Sequence, residues 1–269
     1  MKYVVTGGSG FLGKALLRHL AGSKITVIAR NEANLLELEQ NFADARIWPA
    51  DIGNACAIQG AFEGVHTVYH LAAFKHVGLA EEHPRQCINT NVLGTINVLN
   101  AAVAADAKKV VGVSSDKAAT PTGVYGMTKA LQESLFSECG QHNPTCKFYT
   151  VRFGNIFHST GSVLDRWKKQ VSAGLPVTVT DMEATRFFWT VEEAVDALLN
   201  IETMAPKPMR AVRIGDLLGA ATLKYRWDPK ARTLIGLQPG ENLHERLVPG
   251  GPSSADARRY TLDELMEIV

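Results

Sequence analysis

The stretch Lys2-Tyr3-Val4-Val5-Thr6-Gly7-Gly8-Ser9-Gly10-Phe11-Leu12-Gly13 decides the fold. Its first five residues read as a short apolar strand, glycines at 7, 10 and 13 follow at once, and Leu16, Leu17 and Leu20 then recur at helical spacing. Glycine permits a tight turn and lets backbone approach a bound group closely, while the N–H groups that open a helix have no partners of their own and favour an anion. A glycine loop between strand and helix is the setting in which a dinucleotide pyrophosphate is held; a purely structural turn is the alternative. The cofactor contacts expected here are Gly7, Ser9, Gly10, Phe11, Leu12 and Gly13.

Outward from this loop the pattern repeats. Residues 25–29, 46–50, 67–72, 109–113 and 147–153 read as further strands, with helical stretches at 32–42, 88–105 and 124–139. Strands alternating with helices predict an α/β fold, a doubly wound parallel sheet of the Rossmann type. After about Asn155 the alternation stops. Residues 161–173 and 191–203 read as helices around a predicted edge strand at 176–180, and from Met204 onward only short elements are expected among prolines and glycines. The expected organisation is a dinucleotide-binding core over 1–155 and a small C-terminal substrate lobe over 156–269, interleaved with the main sheet.

At 269 residues and 46% hydrophobic, the chain can bury one large core or one core with a small lobe. Its 28 basic and 27 acidic residues are interspersed and leave a net charge of +1, so neither a nucleic-acid footprint nor a polybasic membrane patch is present. Cys56, Cys87, Cys139 and Cys146 have neither metal-ligand nor redox-motif spacing, so no metal site is expected and reduced thiols in a cytoplasmic protein are the simplest reading. No apolar run approaches the ~18 residues of a membrane span, and a strand starting at Lys2 leaves no room for a signal peptide.

The second strand ends in Ala29-Arg30-Asn31, where an acidic residue would select the free ribose of NAD. Arginine suits a 2′-phosphate, so NADP is expected with Arg30 and Asn31 as contacts; a plain surface charge is the alternative. Asp51 and Ile52, after the third strand, are placed at the adenine, with a turn or N-cap role for Asp51 left open.

Two proton-transfer pairs follow. Tyr125 and Lys129, four apart on a helix, share one face, where the lysine charge would lower the tyrosine pKa and make a poised base. Asp116 and Lys117, just beyond a strand, would supply an acid and a base for eliminating water, which plain hydride transfer does not need; a solvated loop pair is the alternative.

With His70-Leu-Ala-Ala73, Asn91, Ser115, Tyr125/Lys129 and Arg152-Phe-Gly-Asn155 added to the glycine loop, the chain resembles the extended short-chain dehydrogenase/reductases. His70-Leu-Ala-Ala-Phe-Lys-His76, Ser115-Asp-Lys-Ala-Ala119, Tyr125-Gly-Met-Thr-Lys129, Gly154-Asn155, Gly161-Ser-Val163, Thr185-Arg-Phe187 and Pro239-Gly-Glu-Asn-Leu-His-Glu245 narrow it. In that order they resemble the inverting UDP-N-acetylglucosamine 4,6-dehydratases and their polysaccharide-biosynthesis relatives, over nearly the whole chain.

The resemblance implies a redox-neutral NADP-dependent lyase acting on a nucleotide sugar, with Asp116 and Lys117 as dehydration pair, Tyr125 and Lys129 as redox pair and Ser115 on the substrate 4-oxygen. It adds Leu71, Ala72, Ala73, Lys75 and Asn91 to the cofactor contacts, and places Lys75, His76, Asn155, Ser162, Val163, Arg186 and Glu241 on the substrate. Thr160, Gln238 and Asn242 stand where the family usually has Arg, Arg and Lys. A homo-oligomer, at least a dimer, paired through the helices at 88–105 and 124–139 is also implied. A nucleotide-sugar 4-epimerase shares everything but the elimination pair, and a net NADPH-dependent reductase would consume its cofactor. A non-catalytic NADP-binding sensor or scaffold is the alternative of another class.

Overall fold

A computed structural model describes residues 1–228 and 230–269. Its centre is a six-stranded sheet in the order β3-β2-β1-β4-β5-β6, every pair parallel, built from β1 (Lys2–Thr6), β2 (Lys24–Ala29), β3 (Ala45–Pro49), β4 (Thr67–His70), β5 (Lys109–Ser115) and β6 (Lys147–Phe153). The order reverses next to β1, which opens the crevice where such sheets take a dinucleotide.

Adjacent strand residues face opposite ways, so the sheet has a core on each side. Val5 and Val27 pack with Leu16 and Leu17 of α1 (Phe11–His19). Val4 and Ile28 pack on the other side with Val98 and Leu99 of α6 (Gly94–Ala104) and Phe136 of α7 (Val124–His142). The remaining helices of this half are α2 (Glu32–Asn41), α3 (Ala55–Ile58), α4 (Val77–Glu82) and α5 (Pro84–Ile88). A π-helical turn over Asn89–Leu93 joins α5 to α6, so the stretch expected at 88–105 starts a turn earlier.

Beyond β7 (Asn155–Ile156) come α8 (Val163–Ser172), β8 (Val177–Val179), β9 (Thr185–Trp189), α9 (Val191–Leu199), β10 (Arg210–Arg213), α10 (Ile214–Tyr225), β11 (Arg232–Leu234) and α11 (Leu262–Ile268). Strands β10, β9 and β7 form one small sheet and β11 and β8 another, around a third core holding Trp167, Phe188, Leu217 and Leu265. Helix α9 leaves this lobe: Ala194, Val195 and Leu198 share the core of Leu16 and Leu17. The expectation of only short elements after Met204 fails at α10, twelve residues long, whose Ile214, Leu217, Leu218 and Ala221 make one buried stripe.

Candidate active site

One cavity of about 1010 Å³ runs from the glycine loop to the lobe. At the loop end Gly10 is the N-cap of α1 and has no side-chain cap, so the first N–H groups of the helix face the cavity lining unclaimed. Gly7 holds φ +70°, and a Cβ there would meet the Ala72 backbone N at 2.7 Å; at Gly13 it would meet Gly8 at 2.5 Å. These glycines fit a pyrophosphate cradle: they bring the helix end and the chain after β4 together, leaving Ser9, Phe11, Leu12, Leu71, Ala72 and Ala73 lining the cavity.

Arg30, Asn31 and Ile52 line it as well. The Asn31 side chain accepts from Asn34 N at 2.9 Å and caps α2. Asp51 stands in the chain between Ala50 and Ile52, both of which line the cavity. Its Oδ1 accepts from Gly53 N at 2.8 Å and its Oδ2 lies 3.2 Å from Arg30 Nη1, so it is a turn residue that steers the arginine.

Asn91 acts as a brace. Buried in the π-helical turn, its Oδ1 accepts from Phe74 N at 2.7 Å, and its Nδ2 donates to Phe74 O at 3.0 Å and to Thr128 Oγ1 at 3.0 Å. It ties the cavity-lining segment after β4 to helix α7. His70, held between Thr6 and Thr95, lies on the same seam and stays neutral, its pKa lowered to about 3 by burial.

Strand β5 ends in Ser115 and passes into a single turn over Asp116–Ala118, while Tyr125 and Lys129 come from the first turns of α7; all five candidate catalytic residues line the cavity. Ser115 Oγ donates to Asp116 Oδ1 at 2.8 Å, and Lys117 Nζ lies 3.3 Å from that same oxygen. Burial pushes the Asp116 carboxyl up, toward its neutral form. Lys117 is held as the ammonium: burial alone would lower it, but Asp116 and Glu245 outweigh burial. The resting pair is therefore not the neutral amine that a base requires.

The redox pair needs a correction too. Lys129 Nζ donates to Val113 O at 2.8 Å and to Gln132 Oε1 at 2.8 Å, and burial lowers its pKa to about 8. Burial raises the Tyr125 pKa, and the cation that pulls it partly back is Lys117, aided by the Ser115 hydroxyl. The net shift of Tyr125 is thus upward, against the expected lowering.

At the lobe end Lys75, His76, Asn155, Ser162, Val163, Arg186 and Glu241 all line the cavity, with Thr160 and Gln238. Lys75 Nζ donates to Thr160 O at 2.7 Å, and Ser162 caps α8. Arg186, 6% exposed, donates from Nη1 to the carbonyls of Thr185 and Leu243. The sequence reading gave Glu245 no role; the structure buries it beside Lys117, at 3.2 Å between Oε1 and Nζ. Its place at the end of Pro239-Gly-Glu-Asn-Leu-His-Glu245 was the only signal available.

Residues 3–266 match the family described as polysaccharide biosynthesis protein. An inverting UDP-N-acetylglucosamine 4,6-dehydratase of Campylobacter jejuni is 33% identical over 266 residues, covering 93% of this chain and 78% of its own. A UDP-glucose 4-epimerase of Rickettsia typhi is 34% identical over 264 residues, 91% of this chain and 76% of its own. Among solved structures, Pen from Bacillus thuringiensis superposes with a TM-score of 0.90 at 30% identity, over 99% of this chain and 96% of that one. The chain belongs to the polysaccharide biosynthesis protein family.

Proposed function

We propose that the protein is a redox-neutral nucleotide-sugar 4,6-dehydratase that uses NADP and acts on UDP-N-acetylglucosamine or a related nucleotide sugar. The observation that carries this reading is the pairing of buried Asp116 with Lys117 beside Tyr125 and Ser115 in the cavity that also holds the glycine loop. Hydride exchange at a sugar carbon needs Tyr125; it has no use for a second buried acid and base.

Gly7, Gly10, Gly13 and Arg30 would hold the dinucleotide, which would supply the hydride acceptor and donor for an internal transfer from carbon 4 to carbon 6 of the sugar. Ser115 holds the 4-oxygen and Tyr125, acting as the phenolate that the Lys117 cation and the Ser115 hydroxyl favour against burial, removes its proton, leaving a 4-ketone that acidifies the carbon-5 proton. Asp116, favoured in its protonated form by burial, gives its proton to the 6-hydroxyl, which leaves as water. Lys117 takes the carbon-5 proton, for which it must first pass a proton to a carboxylate touching Nζ. It later returns a proton to carbon 5. Arg186 and Lys75 face the sugar diphosphate from the lobe end of the cavity.

A 4-epimerase is the second reading, favoured by the relatives of that name. Incubation with a panel of nucleotide sugars decides between them: mass loss of one water supports the dehydratase, and an isomer of unchanged mass inverted at carbon 4 supports the epimerase. The fold places no demand on location; no described helix is long and apolar enough to cross a membrane.

A further inference from the structure

Two further buried charges, Glu245 and Arg186, meet the elimination pair. Lys117 Nζ stands between Asp116 Oδ1 at 3.3 Å and Glu245 Oε1 at 3.2 Å, and Arg186 Nε lies 3.9 Å from the same Glu245 oxygen. Asp116 and Glu245 are 2% and 1% exposed. Glu245 reaches this place on a loop clipped to β9: Ser254 Oγ accepts its N–H at 2.9 Å and donates to Thr185 O at 3.0 Å. Asn242 Nδ2 donates to its Oε2 at 3.1 Å. Asp116 Oδ2 and Glu245 Oε1 are the buried side-chain oxygens without a hydrogen bond among the described residues, and both belong to this cluster.

An ammonium with one carboxylate partner binds that carboxylate to the ionised state, because protonating it would strand a buried cation. A second carboxylate removes that constraint. We propose that Glu245 is the second counter-ion of Lys117, a positioning residue whose charge frees Asp116 to carry a proton while the ammonium stays paired. Glu245 does not line the cavity, so it acts through Lys117 and Asp116 rather than on substrate. The other groups facing the cluster are Tyr125 from α7 and Ser115 at the end of β5; His244, on the Glu245 loop, points its Nδ1 at Thr185 Oγ1, 2.8 Å away. The inference rests on the dehydratase reading for the use made of the Asp116 proton, not for the proton itself.

The test is a carboxyl titration of full-length protein carrying 13C-labelled aspartate, with Asp116→Asn to assign the signal. Removing a neighbouring anion lowers a carboxyl pKa, so Glu245→Gln should move the Asp116 midpoint down by at least about one pH unit, a tenfold loss of proton affinity. Glu245→Asp, which keeps the charge but draws it back, should fall between and carries the test if the glutamine variant does not fold. An Asp116 midpoint that stays put, or rises, in a folded variant overturns the proposal. With substrate, the alkaline limb of the dehydration rate should shift to lower pH by the same amount. A shifted titration in a protein that dehydrates no nucleotide sugar would leave Glu245 as counter-ion and reject the dehydratase reading instead.

Discussion

At Arg30 a single guanidinium carries the choice between two dinucleotides. Its side chain is 58% exposed at the cavity rim and leans on Asp51, an exposed pairing that costs little to break when a 2′-phosphate offers a doubly charged partner. Arg30→Ala should weaken NADP binding by about 1.5–3 kcal/mol, the range for hydrogen bonds to charged groups, and change NAD binding little. Calorimetric titration of both cofactors checks this; equal losses would remove the NADP assignment. At this scale the sequence showed which residue types meet but not their charge states. Tyr125, Lys129, Asp116 and Lys117 are close along the chain and legible as a group. The protonation of Lys117 depends on Glu245 and Arg186, which only the folded lobe brings to it.

Elements with their own periodicity were legible; those defined by partners were not. The strand-glycine-helix opening and the alternation through β6 are local patterns, and the structure keeps them with boundary shifts of a few residues. Strand β9 is buried at all five positions and has no alternation to read, so it went unassigned, although it presents Arg186 to the site. The π-helical turn shows no periodic mark either, yet it sets Asn91 against Phe74 and Thr128. Asn91→Ala would leave the partly buried Phe74 backbone groups without their partner, at a cost of about 1 kcal/mol, the low end of the range for fully buried groups. The variant should unfold at lower denaturant and bind cofactor more weakly, because the cavity wall loses its tie to α7. Unfolding curves and cofactor titration together test this; full stability with normal binding would show that Asn91 braces nothing.

Over the whole molecule, Ile88, Leu93, Met127 and Leu131 are exposed on α5, the π-helical turn and α7, at 44%, 49%, 58% and 48%. A two-fold pairing of these helices would cover them, and a C2 dimer is the commonest closed assembly. Light scattering is expected to show at least a dimer, and Leu131→Glu to reduce it toward the 29.2 kDa chain mass. A wild-type monomer at micromolar concentration would contradict the pairing.

The central claim is that one active site oxidises carbon 4, eliminates water across carbons 5 and 6, and returns the same hydride. Turnover in heavy water of a nucleotide sugar carrying tritium at carbon 4 tests it most directly. The account predicts a product lighter by one water, with the label at carbon 6 of the same molecule and one solvent deuterium at carbon 5, placed there by Lys117. A product that keeps its 6-hydroxyl, retains the label at carbon 4 and takes up no solvent deuterium would contradict it.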